Sequence, residues 1–335
     1  MTSHRILVGA VSSALLAASL SCAHAAAPGP DEAAVVEAEG RRAFPPQREG
    51  KPLLAGVSYG PFRAGQRPGG PLPSVEQITQ DLRLLAPRFG MIRVYSSLAP
   101  TEAVLKAIAA HELPLGAMVG VWLAADDPEA NAAEIAEAIR LARAYPMQVI
   151  AVAVGNETQV AWSAHRSDRA ALIEALRTVR AAVTQPVTTA DDYNFWNKPE
   201  AAAVAAEIDF LCLHAYAMWN QQPLDQAVAW TASVHRDIAG RFPGLPVVMC
   251  EAGWATQLNP EGREVAHVKA PAGDAEQARF YAEYTAWAHE AAVPYFYFEA
   301  FDEPWKGSDD PREIEKHWGL YRVDRTPKPA LRGAP

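Results

Sequence analysis

The run Val149-Ile150-Ala151-Val152-Ala153-Val154-Gly155-Asn156-Glu157 opens with six consecutive apolar residues and stops on a polar pair. A strand with one face in water alternates apolar and polar residues, whereas a run apolar on both faces belongs to a parallel sheet covered by helices. Runs of the same kind recur along the chain at Leu53–Tyr59, Met91–Ser96, Leu115–Leu123, Val187–Asp191, Phe210–Tyr216, Val247–Glu251 and Tyr295–Phe301, giving eight strands with Val149–Asn156. Segments with apolar residues at three and four spacing separate them: Ser74–Phe89, Pro100–His111, Pro128–Ala144, Ser167–Thr184, Pro199–Glu207, Pro223–Arg241 and Asp274–Ala291. Several open on Ser, Asp or Pro, as helix starts do. Eight strand–helix units predict an α/β fold of the (β/α)8 TIM-barrel type. A doubly wound nucleotide-binding sheet would want G-x-G-x-x-G after its first strand, and residues 56–63 read G-V-S-Y-G-P-F-R instead.

Outside this pattern, His4 and Arg5, the apolar run Ile6–Leu20 and the triplet Ala23-His24-Ala25 predict a secretory signal peptide over residues 1–25. The expected location is secreted or periplasmic. Cys22 could carry a lipid if cleavage fell before it, but Ser19-Leu20-Ser21 lacks the aliphatic residue three places upstream that such a site prefers. Residues 26–51, rich in Pro, Ala and charge, read as an extended lead, and 52–335 as the catalytic domain. No run reaches the ~18 apolar residues of a membrane-spanning helix. The formal charge of −9, one unit more negative once Arg5 leaves, argues against nucleic acid and anionic lipid and for a neutral substrate. A monomer is expected. Cys212 and Cys250 are read as buried free thiols in strands rather than as a bridge.

In such barrels chemistry gathers at the C-terminal strand ends. Here they read A-V-G-N-E, T-A-D-D-Y-N, H-A-Y, C-E-A-G-W and F-E-A-F-D-E-P-W-K on the fourth to eighth strands. Glycosidic hydrolysis needs one carboxylic acid to protonate the leaving oxygen and a second carboxylate opposite it. Glu157 and Glu251, at the ends of strands four and seven, are that pair: Glu157 is the acid, its pKa raised beside Asn156 and Trp162, and Glu251 is held ionised. Asn156, Asp192, Tyr216 and Trp254 at neighbouring strand ends are assigned to substrate binding.

The ordered pieces G-V-S-Y-G (56–60), M-I-R-V-Y (91–95), V-G-N-E (154–157), E-A-G-W-A-T (251–256), F-E-A-F-D-E-P-W-K (298–306) and K-H-W-G-L-Y (316–321) resemble glycoside hydrolase family 17, the β-1,3-glucanase family, along essentially the whole mature chain. The resemblance implies that Glu157 donates the proton and Glu251 forms a covalent glycosyl-enzyme. It implies that Glu303 and Lys306 hold the nucleophile's charge and orientation, and that Tyr59, Arg93 and Tyr95 line the floor under the reacting sugar. Arg93 is equally a structural support, with Glu251 as its partner. Ala255 stands where plant members carry Pro, and Asp191-Asp192 is more like the bacterial branch. That branch resembles both hydrolases and transglycosylases.

Trp162, Trp196, Trp219, Trp254 and Trp305 all follow strand ends, and Trp219 and Trp305 are expected as sugar platforms. His214 reads as a hydrogen-bonded barrel histidine. No H-E-x-x-H, clustered His/Cys spacing or G-x-S-x-G elbow occurs, so no metal, cofactor or serine nucleophile is implied. The expected activity is retaining hydrolysis of β-1,3-glucan. A β-glucan transglycosylase using the same glutamates is the alternative, ahead of a non-enzymatic glucan-binding barrel.

Overall fold

The computed structural model describes residues 40–332. The signal peptide expected over 1–25, with Cys22, and the lead from 26 to 39 lie outside the described residues. Eight parallel strands close a barrel in chain order: β1 (Ala55–Ser58), β2 (Met91–Val94), β3 (Gly116–Val121), β4 (Val149–Asn156), β5 (Val187–Asp192), β6 (Leu211–His214), β7 (Val247–Ala252) and β8 (Tyr295–Tyr297). Closure comes where β8 pairs with β1 through Tyr295↔Ala55 and Phe296↔Gly56. The connecting helices are α1 (Val75–Leu85), α2 (Thr101–Ala110), α3 (Pro128–Ala144), α4 (Arg169–Ala182), the short α5 (Tyr193–Trp196) and α6 (Ala201–Ala205), α7 (Leu224–Arg241) and α8 (Asp274–Glu290). Local chemistry marks their starts. Ser74 and Gln77 exchange hydrogen bonds in a capping box on α1, and Asp127 and Asp168 accept from the first amides of α3 and α4. α5 was not expected, and its cap, Asp192, lies where the fifth strand should already have ended.

Strand alternation sorts the apolar residues into two compartments. One faces outward under the helices. The other fills the barrel with Met91, Met118, Ala151, Ala153, Ala190, Phe210, Cys212, Val248, Cys250 and Phe296, small residues on β4 and β5 making room for aromatic ones just before β6 and on β8. Phe44 joins this inner cluster. Its ring stacks on Phe210 with centroids 4.1 Å apart, so the last part of the lead is a plug for the barrel floor rather than a loose extension. Asp209 fastens it by accepting from the Arg42 amide at 3.0 Å, and a hairpin pairing Gln47–Arg48 with Lys51–Pro52 carries the chain on to β1.

Two irregularities in the sheet shape the barrel mouth. Between Ala153↔Thr188 and Asn156↔Ala190, β4 carries one residue more than β5; between Leu213↔Met249 and His214↔Glu251, β7 carries one more than β6. Such bulges turn side chains that strict alternation would send to the wrong face. On β7 the extra residue is Cys250, which lies inside the barrel as Glu251 also does. It forms a disulfide with Cys212, their Cα atoms 5.2 Å apart. The expectation of free thiols is therefore corrected: neither sequence run contains the slip that brings the two cysteines together.

Phe44→Ala should remove the plug and leave a void beneath the strands, costing about 3–5 kcal/mol. The denaturation midpoint should fall accordingly, and an unchanged midpoint would show that residues 40–52 do not seal the core.

Candidate active site

Arg93 follows Met91 on the inward side of β2 and is almost wholly buried. A buried guanidinium must be met by acceptors, and Arg93 finds them at the barrel mouth. Its Nη1 donates to Glu251 Oε1 at 2.6 Å and to the Cys250 carbonyl at 3.2 Å, its Nη2 donates to Asn156 Oδ1 at 2.6 Å, and it lies 4.5 Å above the Tyr95 ring. Glu251 collects further donors, the Tyr95 hydroxyl at 2.9 Å on Oε1 and the Tyr216 hydroxyl at 2.6 Å on Oε2. Burial, and then the Glu251 charge, holds both phenols well above their usual pKa, so they stay protonated donors. Burial alone would raise the pKa of Glu251, but His214, Arg93, Tyr216 and Tyr95 together outweigh it and hold the group below the usual carboxylate value. The attraction of His214 would require a charged ring, and burial lowers the pKa of that imidazole to about 4. At neutral pH the compensation therefore rests on Arg93 and the two phenols.

Glu157 sits just past the β4 bulge with φ +51°, after Gly155 at +80°. A left-handed backbone at a non-glycine residue costs on the order of 1–3 kcal/mol and is retained where the surroundings enforce it; here the Glu157 amide is tied to the Ala190 carbonyl at 2.8 Å. His214 Nδ1 lies 2.9 Å from Oε1. About 17% of the side chain remains exposed, so its tip is open to a ligand. Burial, reinforced by the Glu251 charge, raises its pKa to about 8. Trp162, the expected source of that shift, is 62% exposed and plays no such part.

Glu157, His214 and Glu251 place one donor atom each within 4.8 Å of one another. Arg93 stands 2.6 Å from this group's Glu251 and 3.2 Å from its His214, so the position a cation would take already carries a positive charge. The trio suits proton transfer better than metal binding.

Lys306 and Glu303, expected to hold the charge and orientation of Glu251, make no direct hydrogen bond or ion pair with it. Lys306 Nζ lies 2.8 Å from Glu299 Oε2 and 2.7 Å from Glu303 Oε2, over the Phe298 ring at 4.5 Å. Two buried carboxylates share one ammonium, and burial followed by repulsion from Glu303 pushes Glu299 well above the carboxylate range. Gly60 makes this possible, because a Cβ there would lie 1.7 Å from Glu303 Oε1. Glu299 is a buried partner of Lys306 that the sequence did not single out, although three acids within Phe298–Glu303 at one strand end were a signal.

Of the other expected ligands, Asn156, Tyr95 and Tyr216 join the site around Arg93 and Glu251. Asp192 caps α5 through the Asn194 amide and side chain, and burial lifts its pKa to about 6. Tyr59 does not line the floor. Ser58 takes the inward position, within 3.1 Å of the Tyr95 hydroxyl, and alternation turns Tyr59 to Asp81 of α1 at 3.3 Å. Trp254 is fully buried against Phe280 with its N–H on the Pro271 carbonyl at 3.1 Å, so it offers no face to a sugar; Trp196 is buried likewise. Trp219, half-buried against Trp318, and Trp305, 37% exposed, keep surface available. Trp122, which follows β3 and packs edge-on to His165 at 4.6 Å, is a rim aromatic not expected from the sequence.

Known proteins bear on this geometry. A glucan 1,3-beta-glucosidase of Arthroderma benhamiae is 28% identical over 278 residues, covering 78% of this chain and 86% of the relative. A probable glucan endo-1,3-beta-glucosidase, btgC, of Aspergillus fumigatus is 26% identical, and this chain spans 40% of its length. Among solved structures, an endo-laminarinase from Formosa superposes with a TM-score of 0.75 at 26% identity, covering 83% of this chain and 86% of that one. A family 17 β-1,3-glucanosyltransferase from Rhizomucor miehei shares the fold, with a TM-score of 0.68 at 23% identity over 83% of this chain and 96% of that one. Residues 56–319, which run from β1 past β8 and include both glutamates, match the BtgE/BtgC glycoside hydrolase domain. By that match over most of its length, the chain belongs to the BtgE/BtgC glycoside hydrolase family.

Proposed function

We propose that the enzyme cleaves β-1,3-glucan with retention of configuration, in two displacements. The observation that carries this reading is the pair itself: Glu157 and Glu251 offer oxygens within 4.8 Å of each other, while their surroundings drive one pKa to about 8 and the other below the usual value. Retaining glycosidases hold their carboxyl groups about 5–5.5 Å apart, whereas inverting ones need roughly 6.5–9.5 Å to admit water. Glu251 Oε2, with one hydrogen bond against several on Oε1, attacks the anomeric carbon as Glu157 protonates the departing glycosidic oxygen. Glu157, now ionised, then takes a proton from the incoming hydroxyl as that oxygen displaces Glu251. The names of the relatives support β-1,3-glucan as substrate.

Transfer to a sugar hydroxyl uses the same pair and is favoured by the half-exposed aromatic surfaces of Trp219 and Trp305, on which an acceptor sugar could stack. We further propose export to a secreted or periplasmic location, with Cys22 leaving in the signal; a disulfide such as Cys212–Cys250 persists in oxidising compartments.

With laminari-oligosaccharides, the β-anomer should form first by NMR, with shorter products indicating hydrolysis and longer ones transfer. Glu251→Ala should lose at least about 10³-fold in kcat, and a first-formed α-anomer would overturn retention. The profile of kcat/KM against pH should fall on the alkaline side near pH 8, as Glu157 loses its proton, and on the acid side below about 4.5, as Glu251 gains one. Stability carries the same sign. The raised pKa of Glu157 means the folded protein resists its ionisation, a cost absent at pH 4 that grows as pH rises from about 4.5 to about 8. Glu157→Gln should therefore be more stable than the wild type at pH 7, by roughly 1–3 kcal/mol, and no more stable at pH 4 by chemical denaturation.

A further inference from the structure

We infer that His214 is a positioning residue that decides which oxygen of Glu157 carries the catalytic proton: held as an acceptor at Nε2, it donates from Nδ1 to Oε1 and so leaves the proton on Oε2, facing the substrate. The inference deepens the proposed function and rests on Glu157 being the acid.

His214 ends β6, fully buried between the two glutamates. Arg93 Nη1 meets its Nε2 in a hydrogen bond of 3.2 Å, whereas Glu251 Oε1 at 3.3 Å meets it only as a charge contact. A guanidinium has donors and no acceptor, so the nitrogen that shares the two Nη1 hydrogens with Glu251 and the Cys250 carbonyl presents a lone pair to them. A neutral imidazole has one N–H, and that N–H is then on Nδ1, 2.9 Å from Glu157 Oε1. The groups around the ring are Arg93 on β2, Glu157 after β4, Asp191 and Asp192 on β5 and Glu251 on β7; burial and Arg93 hold the ring neutral against Glu251, Asp191 and Asp192. Oε1 is thus an acceptor throughout. When Oε2 gives its proton to the leaving oxygen, the His214 N–H remains to bind the charge left on the carboxylate, and when Glu157 later acts as base the proton returns to Oε2. The opposite tautomer would set two donors against each other at Arg93, and its bare Nδ1 would draw the Glu157 proton away from the substrate.

The tautomer can be read directly in protein labelled with 15N-histidine, the His214 signals being identified by their loss in His214→Asn. A protonated Nδ1 and a bare Nε2 from pH 5 to pH 7 are expected, and the reverse tautomer or an imidazolium would overturn the inference. The functional arm compares a laminari-oligosaccharide with a dinitrophenyl β-glycoside, whose leaving group needs no proton. His214→Leu should lose about 10²-fold or more in kcat on the first and under tenfold on the second. His214→Asn, whose amide nitrogen can stand where Nδ1 stood, should recover most of the loss. Equal losses on both substrates, or no recovery with Asn, would mean that the ring serves only to support the site. Should His214→Leu fail to fold, the NMR result and the Asn variant decide. Full oligosaccharide activity in Glu157→Gln would instead sink the assignment of the acid, leaving the tautomer as measured.

Discussion

A guanidinium sunk below the mouth of a barrel has to be answered on every side, and the arrangement around Arg93 follows from that demand. It draws Glu251, Asn156, the Cys250 carbonyl and the ring of Tyr95 into fixed places. Breaking such a buried pair by removing one partner strands the other's charge, which is why groups of this kind stay ordered without a ligand. The same charge acts unequally on the two carboxylates. Glu251 lies against it and ionises easily, while Glu157 is separated from it by His214 and feels burial and the negative charge of Glu251 most strongly. One cation placed off-centre, with two phenols beside it, thus helps to hold two identical side chains at different pKa values.

The eight strands, and the polar strand ends on which Glu157 and Glu251 meet, were legible because each rests on a local pattern: apolar runs whose ends turn polar. What was not legible depends on register. Tyr59 and Ser58 are neighbours at the end of β1, and which of them faces inward is set by pairing with β2 rather than by anything in G-V-S-Y-G. Cys212 and Cys250 look like unrelated buried thiols until the slip between β6 and β7 makes them neighbours. Trp254 has the composition of a sugar platform and the burial of a core residue, because the loop after β7 folds back so that Pro271 accepts its N–H. The Phe44 plug escaped notice for a simpler reason, since one aromatic in a stretch rich in proline and charge makes no periodic signal.

Lys306 illustrates how a second charged group can sit near a reaction centre without joining it. Its two carboxylate partners, one of them pushed well above the carboxylate range by burial, satisfy the ammonium locally. The link to Glu251 is indirect and electrostatic, through Tyr95, whose phenol feels the charge of Lys306 while donating to Glu251. Gly60 belongs to the same arrangement, its missing side chain being the space into which Glu303 fits.

The plug at the barrel floor also bears on how the chain could be re-cut. Eight strand–helix units suggest a ring that could be opened at any loop, but the ring is sealed from below by Phe44, which precedes the first strand and is fastened through Arg42 to Asp209 just before β6. At the other end, the Leu331 carbonyl accepts from Arg88 in the loop after α1. Both ends of the described residues are therefore structural parts anchored to distant units. A circular permutant would have to carry residues 40–54 together with β1, joined by a linker long enough to leave Phe44 in place, or the floor of the cylinder would admit water.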